Sequence, residues 1–568
     1  GMRQFDRRIK CHTFDPAKGY EGLTYAPFDP KLTIAGKAIR FIYDPDNDDE
    51  FKGSHFKFLG RHIHFFGKED DVKKHIRKNF RRDLAKINEL NISGFIKAWL
   101  YEYFALRRQS WAFLVHDLDR SFAIQLNDEA TGLLKNWIGI YKTAETGILF
   151  RSKTNFGLGL TSVLSHFECM QMVKSQLLFF SVCGDISALY QARERREEPA
   201  GRKWRFTRAH THVQQEADHR VRFQPQSDRQ GLGRGHFKAV IGKADRRKIV
   251  ASIVRGIQQE ERLVHSVELA RQGAWTRWAD STIPYDFSWR NLIWGLQDQV
   301  IKFVIHTSIN WIKTPDLMAL WGKGVSPVCP LCGHKVCSIL HILSACKFAL
   351  NDKRYEWRHD SVLLAMSEGI RSHIDHHNSA NIKAKIPHIS SSFVRAGKKA
   401  TAGNRPQTSI KSLLVGASDW KLLTDYQHAH LVFPPEIIAT NLRPDMVIWS
   451  PSVKTVILLE LTCPAEEGIA AASSRKLARY SELVEQIGTA GWKAVHFPFE
   501  VGARGFIAKS TFRCLSALGL SPTSKKALVK ALSSTAARCS YAIYLARDNI
   551  VWDRNMSLLG GHAVSTAC

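Results

Sequence analysis

Apolar positions change their spacing several times along the chain, and each change marks a candidate element. Within residues 20–66, the run KLTIAGKAIRFIYD places Leu32 and Ile34, then Ile39 and Phe41, about Gly36-Lys37. Alternation about such a turn predicts a β-hairpin, and FKFLGRHIHFF beyond an acidic turn predicts further short strands. From Lys68 the spacing lengthens: Val72, Ile76, Phe80, Leu84, Ile87 and Leu90 recur every three or four residues, as one helix face requires. Residues 90–195 continue mostly helical through apolar and aromatic segments such as FIKAWLYEYFALRRQSWAFLVHDL. Farther on, MVIWS and TVILLELT are β-branched, apolar runs joined by Pro451-Ser452-Val453-Lys454, which predicts an antiparallel hairpin. The segment DWKLLTDYQ before it reads as helix-like.

Two stretches lose this periodicity. Residues 201–250 hold 13 Lys and Arg against 4 Asp and Glu, which predicts a basic connector. The polar stretch from about 370 to 410 predicts an interdomain linker. The expected organisation is a multidomain α+β chain with pieces at 1–66, 67–200, 201–310, 311–370, 371–410 and 411–568. Gly157-Leu158-Gly159 is a lone G-x-G without the third glycine or the strand-turn-helix setting of a dinucleotide loop.

The chain has 568 residues, enough for three or four domains. Its 81 Lys and Arg exceed its 53 Asp and Glu, giving a net charge of +28, which favours polyanionic partners and above all nucleic acid. Leu177 to Cys183 is the longest apolar run, far short of the roughly 18 residues of a membrane span. Eleven cysteines, mostly far apart, fit a reducing compartment. The face opposite the Val72 stripe carries Lys73, Lys74, Arg77, Lys78, Arg81 and Arg82 without interleaved acids. It suits phosphate contact, with a solvated charged face as the alternative.

One cluster has metal-ligand spacing. In VSPVCPLCGHKVCSILHILSACKF, Cys329 and Cys332 form a C-x2-C pair, followed by His341 and Cys346 about one helical turn apart. Four such ligands close a tetrahedral Zn²⁺ site that is structural rather than catalytic, with His334 and Cys337 as surplus candidates. Just downstream, RYEWRHDSVL interleaves Arg354, Tyr355, Trp357, Arg358 and His359. Such a mixture suits phosphate contact and base stacking, or a surface helix beside the zinc site.

The hairpin carries the most informative chemistry. Centring its turn between Ser452 and Val453 sets Asp445 opposite Glu460, with Cβ atoms roughly 4.5–5.5 Å apart. Carboxylates that close repel unless a cation joins them, and oxygen-only ligands favour Mg²⁺ or Mn²⁺. Such an ion polarises a phosphodiester and activates water, the logic of a nuclease. Lys476 and Tyr480, four apart on the following helix, share a face and suit orientation of phosphate or water. A partly exposed hairpin with two surface acids is the alternative.

The order of FKFLG, GILFRS with GLGL, QGAWTRW, the CCHC cluster, RYEWRHDSVL, LRPDMVIWS with LLELTCP, RKLARY and EVGARGF resembles the C-terminal half of open reading frames of non-LTR retrotransposons carrying a restriction-like endonuclease. The resemblance covers about Met2 to Trp552. It implies that 1–66 is the end of a reverse-transcriptase palm with FKFLG in the primer-grip hairpin, that 67–200 is a helical thumb, and that 411–568 is a nuclease of the P-D-(D/E)-x-K superfamily with an α/β core. It further implies Asp445 and Glu460 as metal ligands and Asp425 and Glu500 as additions to the site. The usual Lys two residues after the Glu is Thr462 here, and in this branch the role passes to the next helix, to Lys476. Expected partners are target DNA and element RNA, the expected compartment is the nucleus, and the expected reaction is nicking of target DNA for target-primed reverse transcription. The alternative is an inactive element fragment or a host-retained nucleic-acid-binding protein. No aromatic-x-D-D element occurs in the chain, so the palm motifs are expected upstream of Gly1 and this polypeptide alone is expected not to extend a primer.

Overall fold

The computed structural model describes residues 33–34, 37–38, 55–58, 61–64, 70–116, 118–152, 155–179, 181–197, 243–278, 296–383, 412–426 and 432–552. It is a mixed α+β structure, mostly helical, whose largest sheet has four strands. The chain divides into two compact units, one of residues 1–92, 96–133 and 161–258, the other of 93–95, 134–160 and 259–568. Most of the basic connector expected at 201–250 lies outside the described residues.

The first unit has two short antiparallel hairpins, β1 (Thr33–Ile34) with β2 (Lys37–Ala38) and β3 (His55–Phe58) with β4 (Arg61–His64). Ile34 pairs with Lys37, one residue out of step with a turn at Gly36-Lys37; Leu32, Ile39 and Phe41 lie outside the described residues. Helix α1 (Asp70–Glu89) buries Val72, Ile76, Phe80, Leu84 and Ile87, as the stripe requires, while Leu90 falls beyond its end and is exposed. Its basic face departs from expectation. Acceptors for it come from residues 119–129, at and along the start of α2 (Arg120–Ile138): Lys73 meets Asp119 at 2.6 Å, Arg77 bonds the Gln125 amide oxygen, and Arg81 grips Glu129 with two bonds of 2.8 and 2.6 Å. These three cations, expected to contact nucleic acid, are the seam between two helices. Helices α3 (Val163–Phe179) and α4 (Gly184–Glu197) follow. Among the described residues no single helix is long and apolar enough to cross a membrane; α3 with the start of α4 passes on length and composition as a pair bent by 117°, yet α3 buries Glu168, Gln171 and Lys174.

The second unit is built around the sheet. Helices α5 (Lys243–Glu268), whose first part belongs to the first unit, α6 (Asp298–Ser308) and α7 (Arg354–Lys383) precede it. Strands β5 (Lys421–Thr424), β6 (Met446–Ser450), β7 (Thr455–Thr462) and β8 (Lys493–Glu500) pair in that order, the first two pairs antiparallel and the last parallel. A parallel pair needs a crossover, which α8 (Ile469–Thr489) provides. The pleat sorts side chains by parity. Val447, Trp449, Val456 and Leu458 pack with Tyr480, Leu483 and Ile487 of α8. Met446, Ile448, Ile457, Leu459, Leu461 and Phe499 face Val362, Leu363, Met366, Ile370 and Ile374 of α7, together with α9 (Lys509–Ala517) and α10 (Pro522–Leu545). Helices therefore cover both faces, which explains the nearly unbroken apolar character of MVIWS and TVILLELT. A Cβ on Gly369 would stand 2.6 Å from Leu528, so glycine lets α7 and α10 pack this closely.

Two expectations are corrected here. The segment expected as helix around DWKLLTDYQ is strand β5, because Leu422 and Leu423 serve opposite faces, and a short two-sided apolar run has no diagnostic period. The linker expected from 371 starts as helix through Lys383, held by His377 on the Leu414 carbonyl at 2.8 Å and by Asn378 on Trp420; residues 384–411 lie outside the described ones.

Three of the sequence motifs meet in one buried cluster. Arg151 of GILFRS pairs with Glu145, bonds Ser266 at 2.7 Å and lies 4.7 Å over the Trp275 ring of QGAWTRW. Phe156 touches Trp275, Trp278 and Phe506, the last from EVGARGF. Arg504 lies over Trp278 and binds Glu466 at 2.6 Å, Glu467 at 3.1 Å and the Thr307 carbonyl at 3.1 Å. Gly502 is required beside it, since a Cβ there would stand 2.3 Å from the Glu466 carboxylate.

Candidate functional site

The cysteine cluster forms from a turn and a rare helix type. Gly333, at φ +70°, lets the chain fold back after Cys332, and the Gly333 amide donates to the Cys329 carbonyl at 2.9 Å. His341–Ala345 is a π-helical turn. In an α-helix, residues five apart diverge by about 140°; a π turn, with its i to i+5 bonding, returns Cys346 to the side of His341. The ligand atoms of Cys329, Cys332, His341 and Cys346 all lie within 4.8 Å of one another. The Cys329 and Cys346 sulfurs are 4.0 Å apart, and Cys332 Sγ is 3.3 Å from His341 Nε2. Three thiols and an imidazole at this separation can hold a zinc-like ion with every position filled by protein. The surplus candidates fall outside the set: His334 stacks on the His341 ring at 4.8 Å, and Cys337 is buried nearby, its thiol pushed up by that burial.

Tyr355 joins this cluster to α7. Its hydroxyl accepts from the Cys346 amide at 3.1 Å and donates to the Ile342 carbonyl at 2.9 Å. The rest of RYEWRHD corrects the expectation of nucleic-acid contact. Arg354 and Arg358 are each 1% exposed, and Trp357 is buried. Arg354 spends its donors on Asp352 and on the Ala546 and Asn549 carbonyls, each within 2.8 Å, and its guanidinium lies over the Trp552 ring. Arg358 bonds the Cys463 carbonyl at 2.8 Å and Ser540 at 3.1 Å. These guanidinium groups direct their bonds to carbonyls, a carboxylate and a hydroxyl and clamp the helix in place; the one donor left over, Arg358 Nε, is itself buried and so not offered to a phosphate.

His359, the last of that group, points to the carboxylates. The β6–β7 register continues one step beyond Met446 and Leu459 to set Asp445 opposite Glu460. The two residues interlock: the Asp445 amide donates to Glu460 Oε2 at 3.1 Å, and the Leu461 amide donates to Asp445 Oδ2 at 2.7 Å. Lys476 of α8 donates to Glu460 Oε1. Glu460 is 2% exposed; burial and the neighbouring Asp445 raise its pKa, against the pull of Lys476. His359 Nε2 lies 3.4 Å from Asp445 Oδ2 and 3.3 Å from the Leu461 carbonyl, and its Nδ1 is 3.1 Å from Asp360. Burial alone would lower the His359 pKa, but the bonds to Asp360 and Asp445 outweigh it and hold the imidazole up at about 10.

The remaining candidates divide. Asp425, just past β5, donates its amide to the Asp445 carbonyl at 2.9 Å, so Asp425, Asp445 and Glu460 occupy one row across three strands. Asp425 Oδ1 is buried without a hydrogen-bond partner, an acceptor suited to a cation. Tyr480 is fully buried, its hydroxyl donating to the Arg443 carbonyl at 3.0 Å, just ahead of Asp445. Glu500 Oε2 accepts from the Ser510 hydroxyl, its Oε1 is buried without a hydrogen-bond partner, and burial raises its pKa. Sequence reasoning missed Asp360 and the placement of His359 at the carboxylates; their only signal was a His-Asp pair shortly after a metal knuckle. Comparison with protein-family models and with curated proteins gives no match.

Proposed function

We propose that this chain is a divalent-metal-dependent DNA endonuclease of the restriction-like type, derived from a non-LTR retrotransposon reading frame, which nicks target DNA for target-primed reverse transcription. The observation that carries the reading is the facing of Asp445 and Glu460 at the strand ends with Lys476 on Glu460. The donor set supports Mg²⁺ or Mn²⁺: carboxylate oxygens in one row, one of them a buried acceptor without a partner. When bound, such an ion supplies charge that polarises the phosphodiester and lowers the pKa of the attacking water. Asp445 and Glu460 hold it, Lys476 orients the scissile phosphate or the water, and Tyr480 fixes the Arg443–Asp445 segment through the Arg443 carbonyl. The zinc cluster is structural in this scheme, target DNA and element RNA are the partners, and the nucleus is the place of action. The first unit corresponds in this reading to palm end and thumb, and the sheet of the second to the restriction-like core.

Asp445→Ala and Glu460→Ala are each expected to abolish Mg²⁺-dependent nicking of supercoiled plasmid while DNA retention in a mobility-shift assay stays within about threefold. Equal nicking by both variants and the wild type would overturn the proposal. Binding without any metal-dependent product from the wild type would leave a nucleic-acid-binding protein instead.

A further inference from the structure

His359 reaches the carboxylate pair from the layer opposite Lys476, and the chemistry above gives it no task. Its Nε2 lies 3.4 Å from Asp445 Oδ2, the same oxygen that accepts the Leu461 amide at 2.7 Å. One oxygen of Asp445 thus accepts a hydrogen bond from the backbone of β7 and lies at ion-pair distance from an imidazole on α7, whose Nε2 also reaches the Leu461 carbonyl at 3.3 Å. Asp360, 3.1 Å from Nδ1, tethers the far side of the ring. The helix beneath cannot drift, because neighbouring Arg358 is anchored to the Cys463 carbonyl and to Ser540. A carboxylate gripped at one oxygen from two directions cannot rotate freely about its Cβ–Cγ bond, so its other oxygen keeps one heading. Partners of this kind are how proteins orient metal-binding carboxylates.

Resting on the nuclease reading, we infer that His359 is a positioning residue for DNA cleavage: tethered by Asp360, it locks Asp445 through Oδ2 and so presents Oδ1 to the divalent ion. The imidazole touches neither DNA nor the reacting water. A ring that only bridged α7 to the Leu461 carbonyl would affect stability and leave the metal affinity of the folded protein unchanged.

Mn²⁺ binding to the full, zinc-loaded chain, read from the loss of the free-ion electron paramagnetic resonance signal, separates these roles. His359→Ala is expected to weaken Mn²⁺ binding and lower the kcat for plasmid nicking, each on the order of 10- to 100-fold, with the KM for plasmid unchanged. His359→Gln places an amide N–H near the position of Nε2 and is expected to recover most of both losses. If His359→Ala does not fold, Asp360→Asn carries the test, with several-fold weaker Mn²⁺ binding expected. Wild-type Mn²⁺ affinity in a folded His359→Ala, or in Asp360→Asn where that variant carries the test, overturns the inference, provided that Asp445→Ala has lost the ion. If Asp445→Ala binds Mn²⁺ as the wild type does, the nuclease reading falls and the inference falls with it.

Discussion

At the scale of single residues, arginine has a consistent use in the second unit, and it is the reverse of what composition suggests. Arg151, Arg354, Arg358 and Arg504 are all at most 1% exposed. Each is ringed by carbonyls, acids or an aromatic face, the environment that suits a weakly hydrated planar cation. Removing one partner of such a pair leaves the other charge buried and uncompensated. Arg504→Met is therefore expected to cost roughly 3–5 kcal/mol, seen as a lower urea midpoint for the second unit. A wild-type midpoint would show that Glu466 finds another partner. These roles were not legible in the sequence because the partners are remote: Arg358 meets a carbonyl 105 positions away, and Arg354 one 195 positions away. Nothing in RYEWRHD distinguishes an arginine bound to a distant carbonyl from one waiting for a phosphate. Facing carboxylates in a short hairpin are legible, because turn and period together fix which residues oppose each other.

At the scale of elements, the basic helix α1 makes the same point nearer the surface. Lys73, Arg77 and Arg81 lie four apart and each meets a partner of residues 119–129. Cations already committed to an internal seam release few counterions on binding a polyanion. The triple substitution Lys73→Gln, Arg77→Gln, Arg81→Gln is expected to change the slope of log K against log salt for DNA binding by less than about one, whereas three phosphate contacts would remove nearly three. A change near three would restore α1 as a binding face. The stripe that defined α1 was readable at 3.6 residues per turn, but its partner helix was not, since pairing depends on tertiary placement. Strand β5 was misread for a related reason: four residues, of which only Leu422 and Leu423 pack into the apolar cores, one on each face, carry no period. The cysteine ligands were readable from spacing, while the π turn that makes His341 and Cys346 converge leaves no mark on composition.

At the scale of the whole molecule, two histidines set opposite pH limits. In the first unit, His166 is buried and its pKa is lowered to about 4 by that burial, with Arg107 and Arg255 adding to it. Between pH 6.5 and 4 the unfolded chain takes up a proton there that the folded chain refuses, so stability falls as pH falls, by an amount on the order of 3 kcal/mol. In the second unit, His359 is held up at about 10, so its contribution is complete below pH 6.5 and is lost as pH rises through 10. Amide exchange in magnesium-free buffer is expected to accelerate around 163–179 at pH 5 and around 354–365 at pH 9; the reverse order would contradict both assignments. Tyr355, bonded to the zinc-cluster residue Cys346, and the carboxylate-facing His359 lie one turn apart on the unbroken helix α7, with Arg358 anchored beside His359. A single codon gained or lost within that stretch would swing His359 by about 100° and shift it by about 1.5 Å. Length there is heritable information in its own right, and drift in this gene should substitute letters in that interval far more readily than it adds or deletes them.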